Sequence, residues 1–471
     1  MIPFLPKPIA DKAVTIYVLA LTVVSIVFMS HAMSLIYIVL GLMWVIGFFY
    51  LSSYFSRMWG EGELSSQQFL LRLWGVGISV RVVWVIFSYF YYQAQTGLPF
   101  EFGAGDSVGY HEDAAWLADD PWSTTWWYLF TSGLKGIADS GYPLYLSIIY
   151  RIFGPNIFVA RILKCIIGTA TCWLIYKLAK RSFGESVGRM ASIFAMLMPN
   201  FIIYCGLHLK EVEMIFLAVA FLERTDAMLR SKEYKVVSMV LSTVLALSLF
   251  LFRTVLGAVA LFSFVTALIF TTEKVVTKGK RALIIGWVLL AGLFLFGGTL
   301  HTEMESLWEN RSSNVEMKRY QQTVRGNKWA KYATGTVMAP MAMFLPYPTM
   351  VDVDHQYNQQ IIHGGNYVRN FFGIFVLIAI FSVIFIQKNW RDFSLLGSFV
   401  FGYLGVISMS GFSNSERFLL PALPVLLMMA AYGISLMNGK NYRYVKIWFI
   451  VVFMMAFAWA FFKLGSRGIV G

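Results

Sequence analysis

Long apolar runs recur from one end of this sequence to the other, and that repetition constrains the fold more than any motif does. A helix needs roughly 17–25 consecutive apolar residues to cross a bilayer, because its backbone groups find no partners in lipid and must bond within the segment. Apolar runs lie at 14–30, 34–52, 73–92, 157–176, 187–207, 211–223, 236–251, 254–271, 282–299, 367–387, 393–410, 418–437 and 445–462, of which 211–223 is short and the 236–271 pair could be divided differently around Arg253. At 58% hydrophobic and 13% charged, the chain has about half the charge of a soluble domain. The expected fold is an all-α polytopic membrane protein, a bundle of about 13 transmembrane helices. The first run, Val14 to Ser30, is followed by His31 and a second run instead of a small-residue cleavage site, so this helix is expected to stay in the mature protein.

The net charge of +13 would suggest nucleic acid in a soluble domain, but here topology accounts for it and no nucleic-acid partner is expected. Over half of the 38 Lys and Arg fall in every second connection: Lys7 and Lys12; Arg57 and Arg72; Lys177, Lys180, Arg181 and Arg189; Arg224, Arg230, Lys232 and Lys235; Lys274, Lys278, Lys280 and Arg281; Lys388 and Arg391; Lys440, Arg443 and Lys446. Lys and Arg near span ends mark the cytoplasmic face. The apolar segment 142–153 would invert every later loop if it crossed, and it is short for a span. It is expected to be an interfacial or re-entrant helix. Cys165, Cys172 and Cys205 lie inside apolar runs without metal-ligand spacing, which speaks against a disulfide framework or zinc site.

This topology puts two large segments outside, 93–156 with interfacial helices and 300–366 as a loop or cap. The chain reads as one integral membrane domain, 1–471. The first loop carries the acids Glu101, Asp106, Glu112, Asp113, Asp119, Asp120 and Asp139. Asp106 sits in Gly-Ala-Gly-Asp-Ser, where glycines allow a tight turn and close approach of a substrate. His111 and Glu112 follow as further catalytic candidates on an expected helix through Ala118, with Ser107 its expected cap. An exterior carboxylate here could act as general base on an acceptor hydroxyl, although a cluster of loop acids is more often a solvated face.

Lys210 and Glu211 end the fifth run as His-Leu-Lys-Glu, and the two are suited to receive and orient a phosphate. Arg161 and Lys164, one turn apart near the outer end of the fourth run, join Arg253 and Arg417 of Ser-Glu-Arg-Phe as exterior cations. One such residue usually snorkels; the collection suits a lipid phosphate. Arg81 lies within the third run and needs a partner that the sequence does not name. His355 and His363 with Asp352 and Asp354 match no compact metal motif and are expected to be a polar loop.

The stretch from Asp106 to Arg230 resembles the GT-C superfamily of polyprenyl-phosphate-dependent glycosyltransferases, in particular the branch of protein O-mannosyltransferases and the lipid A aminoarabinose transferase. The resemblance is carried by the acidic loop with Asp106 and Tyr110; by Gly-Tyr-Pro-Leu-Tyr-Leu at 141–146 running to Arg151-Ile-Phe-Gly and Ala160-Arg161; and by YKLAKRSFG at 176–184 followed by AMLMPNFIIY at 195–204. It implies a GT-C-like bundle and inverting transfer of a sugar from a polyprenyl-phosphate carrier to a glycan, lipid or protein acceptor at the outer membrane face, in a multi-pass protein of the bacterial plasma membrane. Asp106 would be the base, Lys210 and Arg417 the ligands of the carrier phosphate, and Arg161, Arg253 and Lys164 further cations. Tyr110, Glu211 and Glu416 would support them. No cofactor is required, though nearby carboxylates could hold a divalent cation. In two respects the chain departs from the branch. Asp106-Ser107 stands where a pair of acids is usual, leaving Glu112 or Asp113 as alternative bases, and two helices within 1–72 are additional. Two other readings stay open: a lipid-linked glycan polymerase or ligase centred on 300–366, and a lipid-sugar flippase. Against the flippase, few charges lie within the runs.

Overall fold

The computed structural model describes residues 2–60, 62–125, 137–231, 236–270, 286, 347–353, 356–409, 416–439 and 441–465. The expected span at 282–299, apart from Gly286, and most of the 300–366 loop, including Asp354 and His355, lie outside the described residues. The described part is a bundle of helices without a strand; an isolated bridge joins Ala32 and Val351. In chain order the helices are α1 (Lys7–Val27), α2 (Leu35–Met58), α3 (Ser66–Thr96), α4 (Gly105–Asp119), α5 (Ile137–Phe153), α6 (Ile157–Phe183), α7 (Glu185–Leu197), α8 (Pro199–Ile203), α9 (Glu211–Leu229), α10 (Val236–Ser248), α11 (Thr254–Phe270), α12 (Tyr357–Phe381), α13 (Ser394–Met409), α14 (Glu416–Leu419), α15 (Leu423–Ser435) and α16 (Tyr442–Gly465).

Seven of the described helical segments are long and apolar enough to cross a membrane, the bent pair of α7 and α8 adding an eighth if it counts as one span. The chain is thus an all-α polytopic membrane protein. The other described runs coincide with α9, α10, α11 and α13. The ends of the helices follow local chemistry. Ser65 and Gln68 form a reciprocal capping box at the start of α3, and Gly97 ends it in the left-handed region at φ 80°.

Pro199 breaks the α7–α8 pair, which bends by 51°. Proline has no N–H for the carbonyl of Ala195, four residues back. Arg81, whose partner the sequence does not name, fills this role. Its guanidinium, fully buried, donates to the carbonyls of Met196 (3.2 Å), Ala195 (3.4 Å) and Gly77 (3.0 Å). Gly168 makes room for it, since a Cβ there would lie 3.0 Å from Arg81 Nε. A charge inside the bundle is thus spent on a broken helix.

One expected boundary is corrected. The span placed at 367–387 begins ten residues earlier, at Tyr357, which takes His363 out of the exterior loop and into α12. Gln360, His363, Asn366 and Asn370 are buried on this helix. His363 Nε2 lies 2.7 Å from the Tyr17 hydroxyl of α1, and Asn200 donates to Asn366 at 3.4 Å. Hydropathy counts such residues as polar loop, but the partners of His363 and Asn366 lie on neighbouring helices, so these two face protein and not lipid. The two N-terminal helices are built into the bundle: α1 packs on α2 and α16, and α2 on α7 and α12.

Candidate active site

At one end of the bundle, α4 and α5 pack on each other, and α5 also packs on the turn at Leu249–Leu251 that joins α10 to α11. The segment 142–153 is the greater part of α5, a 17-residue helix. The turn at 207–210, the Arg253 turn and α14 meet at this same end. Residues scattered over 311 positions of sequence are thereby brought into contact.

Arg417 is the hub. Its NH1 donates to Asp106 Oδ2 at 2.6 Å, and its Nε donates to Glu211 Oε1. Glu211 is fully buried and also faces the Arg253 guanidinium at 3.9 Å. Arg253 in turn donates to the Tyr403 hydroxyl at 2.9 Å and lies 4.3 Å over the Phe418 ring. The result is a chain of alternating charge, Asp106–Arg417–Glu211–Arg253, that runs from solvent into the bundle. Asp106, at its outer end, is 61% exposed. Glu211 sits in the first turn of α9, where the helix dipole also favours a negative charge.

Lys210, just before α9, is placed beside this chain but not open to it. Its ammonium is buried, bonded to Asp139 of α5 and to the Phe252 carbonyl at 2.5 Å. Burial lowers its pKa and Asp139 opposes that shift. Tyr110 of α4 donates to the same Asp139 oxygen at 3.4 Å, and its phenol is pushed up by burial and then by Asp139. Lys210, Asp139 and Tyr110 thus clamp α4, α5 and the start of α9 together.

Arg161 and Lys164 lie deeper. Both are fully buried. Arg161 donates to the Pro99 carbonyl at 2.5 Å; Lys164 donates to the carbonyls of Leu207 (2.9 Å) and Leu209 and lies 3.8 Å from Glu213. They hold the backbone under the site instead of facing its mouth. His111 Nδ1 is 2.8 Å from the Tyr150 hydroxyl, which is 3.1 Å from His208 Nε2. Burial lowers the pKa of both histidines, and Lys164 and Arg161 lower that of His208 further. Glu112 is exposed on α4. Six residues from Asp106, it falls on another face of the helix.

Ser107 is not the helix cap: α4 starts at Gly105, no side chain caps it, and Ser107 Oγ donates to Glu101. Glu416 accepts from the Tyr204 hydroxyl at 3.4 Å. Two residues that the sequence did not single out also belong to this region: Asp139, and the buried Arg369 of α12. Arg369 is the charged residue in the wall of an apolar groove of about 180 Å³ between α12, α13, α15 and α16, lined by residues such as Phe372, Val376, Val400, Leu404 and Leu426. Asp139 had a signal in lying two residues before Gly141-Tyr-Pro, whereas Arg369 had none beyond lying in an apolar run. Among the described residues, no three His, Cys, Asp or Glu side chains gather as a metal site.

This end of the bundle joins an exposed carboxylate to buried cations next to an apolar groove, a combination suited to a lipid phosphate. Residues 141–293 match the family model for dolichyl-phosphate-mannose-protein mannosyltransferases. The match covers about a third of the chain, includes the Gly-Tyr-Pro-Leu-Tyr-Leu, YKLAKRSFG and AMLMPNFIIY stretches, and begins after Asp106. It bears out the similarity to GT-C glycosyltransferases and supports a membrane glycosyltransferase that draws on a polyprenyl-phosphate sugar. Comparison with curated proteins finds no match.

Proposed function

We propose that the protein transfers a sugar, with inversion, from a polyprenyl-phosphate carrier to an acceptor hydroxyl at the extracytoplasmic face of the membrane. The observation that carries this reading is the salt bridge from Arg417 to Asp106, the base expected from the resemblance, on a residue that also bonds buried Glu211. The same arginine thus reaches both the position of the base and the inner cations.

In this reading the carrier phosphate binds at Arg417 and Arg253, whose spacing Glu211 maintains. Guanidinium groups suit a phosphate because two parallel N–H bonds match its oxygens. The polyprenyl chain lies in the apolar groove beside Arg369. Because the phosphate takes up Arg417, it competes with Asp106 for that side chain, and donor binding releases the carboxylate. Asp106 then accepts the proton of the acceptor hydroxyl as that oxygen attacks the anomeric carbon. The bond from that carbon to the phosphate oxygen breaks, and the electron pair leaves with polyprenyl phosphate. Arg417 and Arg253 stabilise the charge that grows on the leaving phosphate. Lys210 holds the second layer through Asp139.

The test is to incubate the purified protein with polyprenyl-phosphate sugars and an acceptor and to follow release of polyprenyl phosphate. Transfer with release of the monophosphate carrier supports the proposal. Consumption of diphosphate-linked oligosaccharides alone would overturn it in favour of a polymerase or ligase.

A further inference from the structure

The turn that delivers Asp106 to the site, residues 97–104 between α3 and α4, is held at four successive residues from four different helices. Arg161 of α6 donates to the Pro99 carbonyl at 2.5 Å. Thr96, the last residue of α3, donates to the Phe100 carbonyl at 3.1 Å. Ser107 of α4 donates to Glu101 Oε1 at 2.5 Å. Asn358, the second residue of α12, donates through Nδ2 to the Phe102 carbonyl at 2.7 Å. Tyr357 adds a ring contact to Phe102, with centroids 5.0 Å apart. Gly103 then takes a left-handed φ of 65°, which lets the chain turn into α4.

The bond at Glu101 has a specific geometric consequence. Ser107 and Glu101 are both buried. Successive residues of an α-helix point about 100° apart, so fixing Ser107 inward fixes the direction of Asp106. The first turn of α4 has no side-chain cap to hold it otherwise, and uncapped first turns have unsatisfied N–H groups and fray. The bond from Asn358 acts on the other side of the turn, through the backbone four residues before Asp106. None of these bonds involves Arg417, Glu211 or Lys210.

We propose that Ser107, Glu101 and Asn358 are positioning residues for Asp106, so that the start of α12 contributes to catalysis by fixing the register of α4. The inference rests on Asp106 being the base.

The test compares steady-state transfer by Ser107→Ala, Ser107→Thr and Asn358→Leu with the wild type and with Asp106→Asn. Displacing a reacting group by about 1 Å can cost roughly 100-fold, so Ser107→Ala and Asn358→Leu are expected to lose about 10- to 100-fold in kcat. The donor KM and the thermal midpoint should stay near the wild type, and Ser107→Thr, which keeps the hydroxyl, should recover most of the rate. Wild-type kcat in Ser107→Ala and Asn358→Leu, alongside an inactive Asp106→Asn, overturns this inference and leaves the base reading intact. So does a loss that merely tracks loss of folded protein or a rise in donor KM. If Asp106→Asn itself turns over normally, it is the base reading that fails. Should Ser107→Ala not fold, Asn358→Leu and Glu101→Gln carry the same comparison.

Discussion

Replacing Glu211 with glutamine keeps the side chain's shape but removes the negative charge that lies between Arg417 and Arg253. The carboxylate has no exposed surface, Arg253 is 3.9 Å from it, and Arg417 bonds the same oxygen. Unit charges at the 3.9 Å separation attract by about 4 kcal/mol at an effective dielectric of about 20. Removing one member of a buried pair costs about 3–5 kcal/mol, because the other charge is left uncompensated. Asp106 remains on Arg417, but it is 61% exposed and well screened, so it offsets little. Glu211→Gln should therefore lose about 3 kcal/mol. The double variant Glu211→Gln/Arg417→Met should lose less than the sum of its single variants, with a coupling of about 1–3 kcal/mol. Thermal denaturation of detergent-purified protein, run as a double-mutant cycle, reads both quantities. An additive cycle, or a Glu211→Gln midpoint within about 1 °C of the wild type, refutes the reasoning that this chain of charges is a coupled, buried unit.

Further outcomes follow from other parts of the bundle. Arg81→Met strips the donors from the carbonyls of Ala195 and Met196 at the Pro199 break; at about 1–3 kcal/mol per orphaned group, the variant should unfold at a clearly lower temperature. Burial holds His111 below its ordinary pKa. Its neutral form is thus favoured in the folded protein, and its contribution to stability is complete above about 6.5 and lost as pH falls below that value toward the depressed one. Thermal midpoints measured from neutral pH down to mildly acidic pH should drop, and His111→Gln should flatten the drop. Gly433→Ala should cost about 3 kcal/mol or prevent folding, since a Cβ at Gly433 would lie 1.9 Å from the Phe375 carbonyl oxygen where α15 meets α12; expression and thermal melts report it.

Hydropathy made the bundle legible because lipid leaves helices no other way to satisfy their backbone. It lost accuracy where polar residues face protein. His363 and Asn366 look like loop in the sequence, yet they lie buried on α12 against α1 and α8. The alternation of basic connections was legible too, but not all that those residues do. Arg181 bonds Glu223 at 2.6 Å and Asp226 at 3.0 Å, and Arg189 bonds Glu185 at 2.6 Å and the carbonyls of Trp59, Gly60 and Leu64, so these cations also tie helix ends together.

In the candidate site, several of the residues that chemistry and face suggested lie together, but their layering was not legible. Asp106, Arg417, Glu211 and Arg253 converge, whereas Arg161 and Lys164 turn to backbone carbonyls and Lys210 to Asp139. Which carbonyls a broken helix exposes depends on tertiary packing, so a sequence pattern cannot tell a cation that binds a ligand from one that caps a helix. Arg81 makes the same point and weakens the flippase reading: a charge inside a span need not line a path, and this one is bonded to the carbonyls around Pro199.

The central claim is that Asp106 takes the proton of the acceptor while Arg417 holds the carrier phosphate. Asp106→Asn tests it most directly, because asparagine keeps the size of the side chain and an oxygen for Arg417 but cannot act as a base. Single-turnover transfer from a bound polyprenyl-phosphate sugar should fall by at least about 100-fold, with donor affinity no weaker than the wild type. Near-normal transfer by this variant would contradict the account.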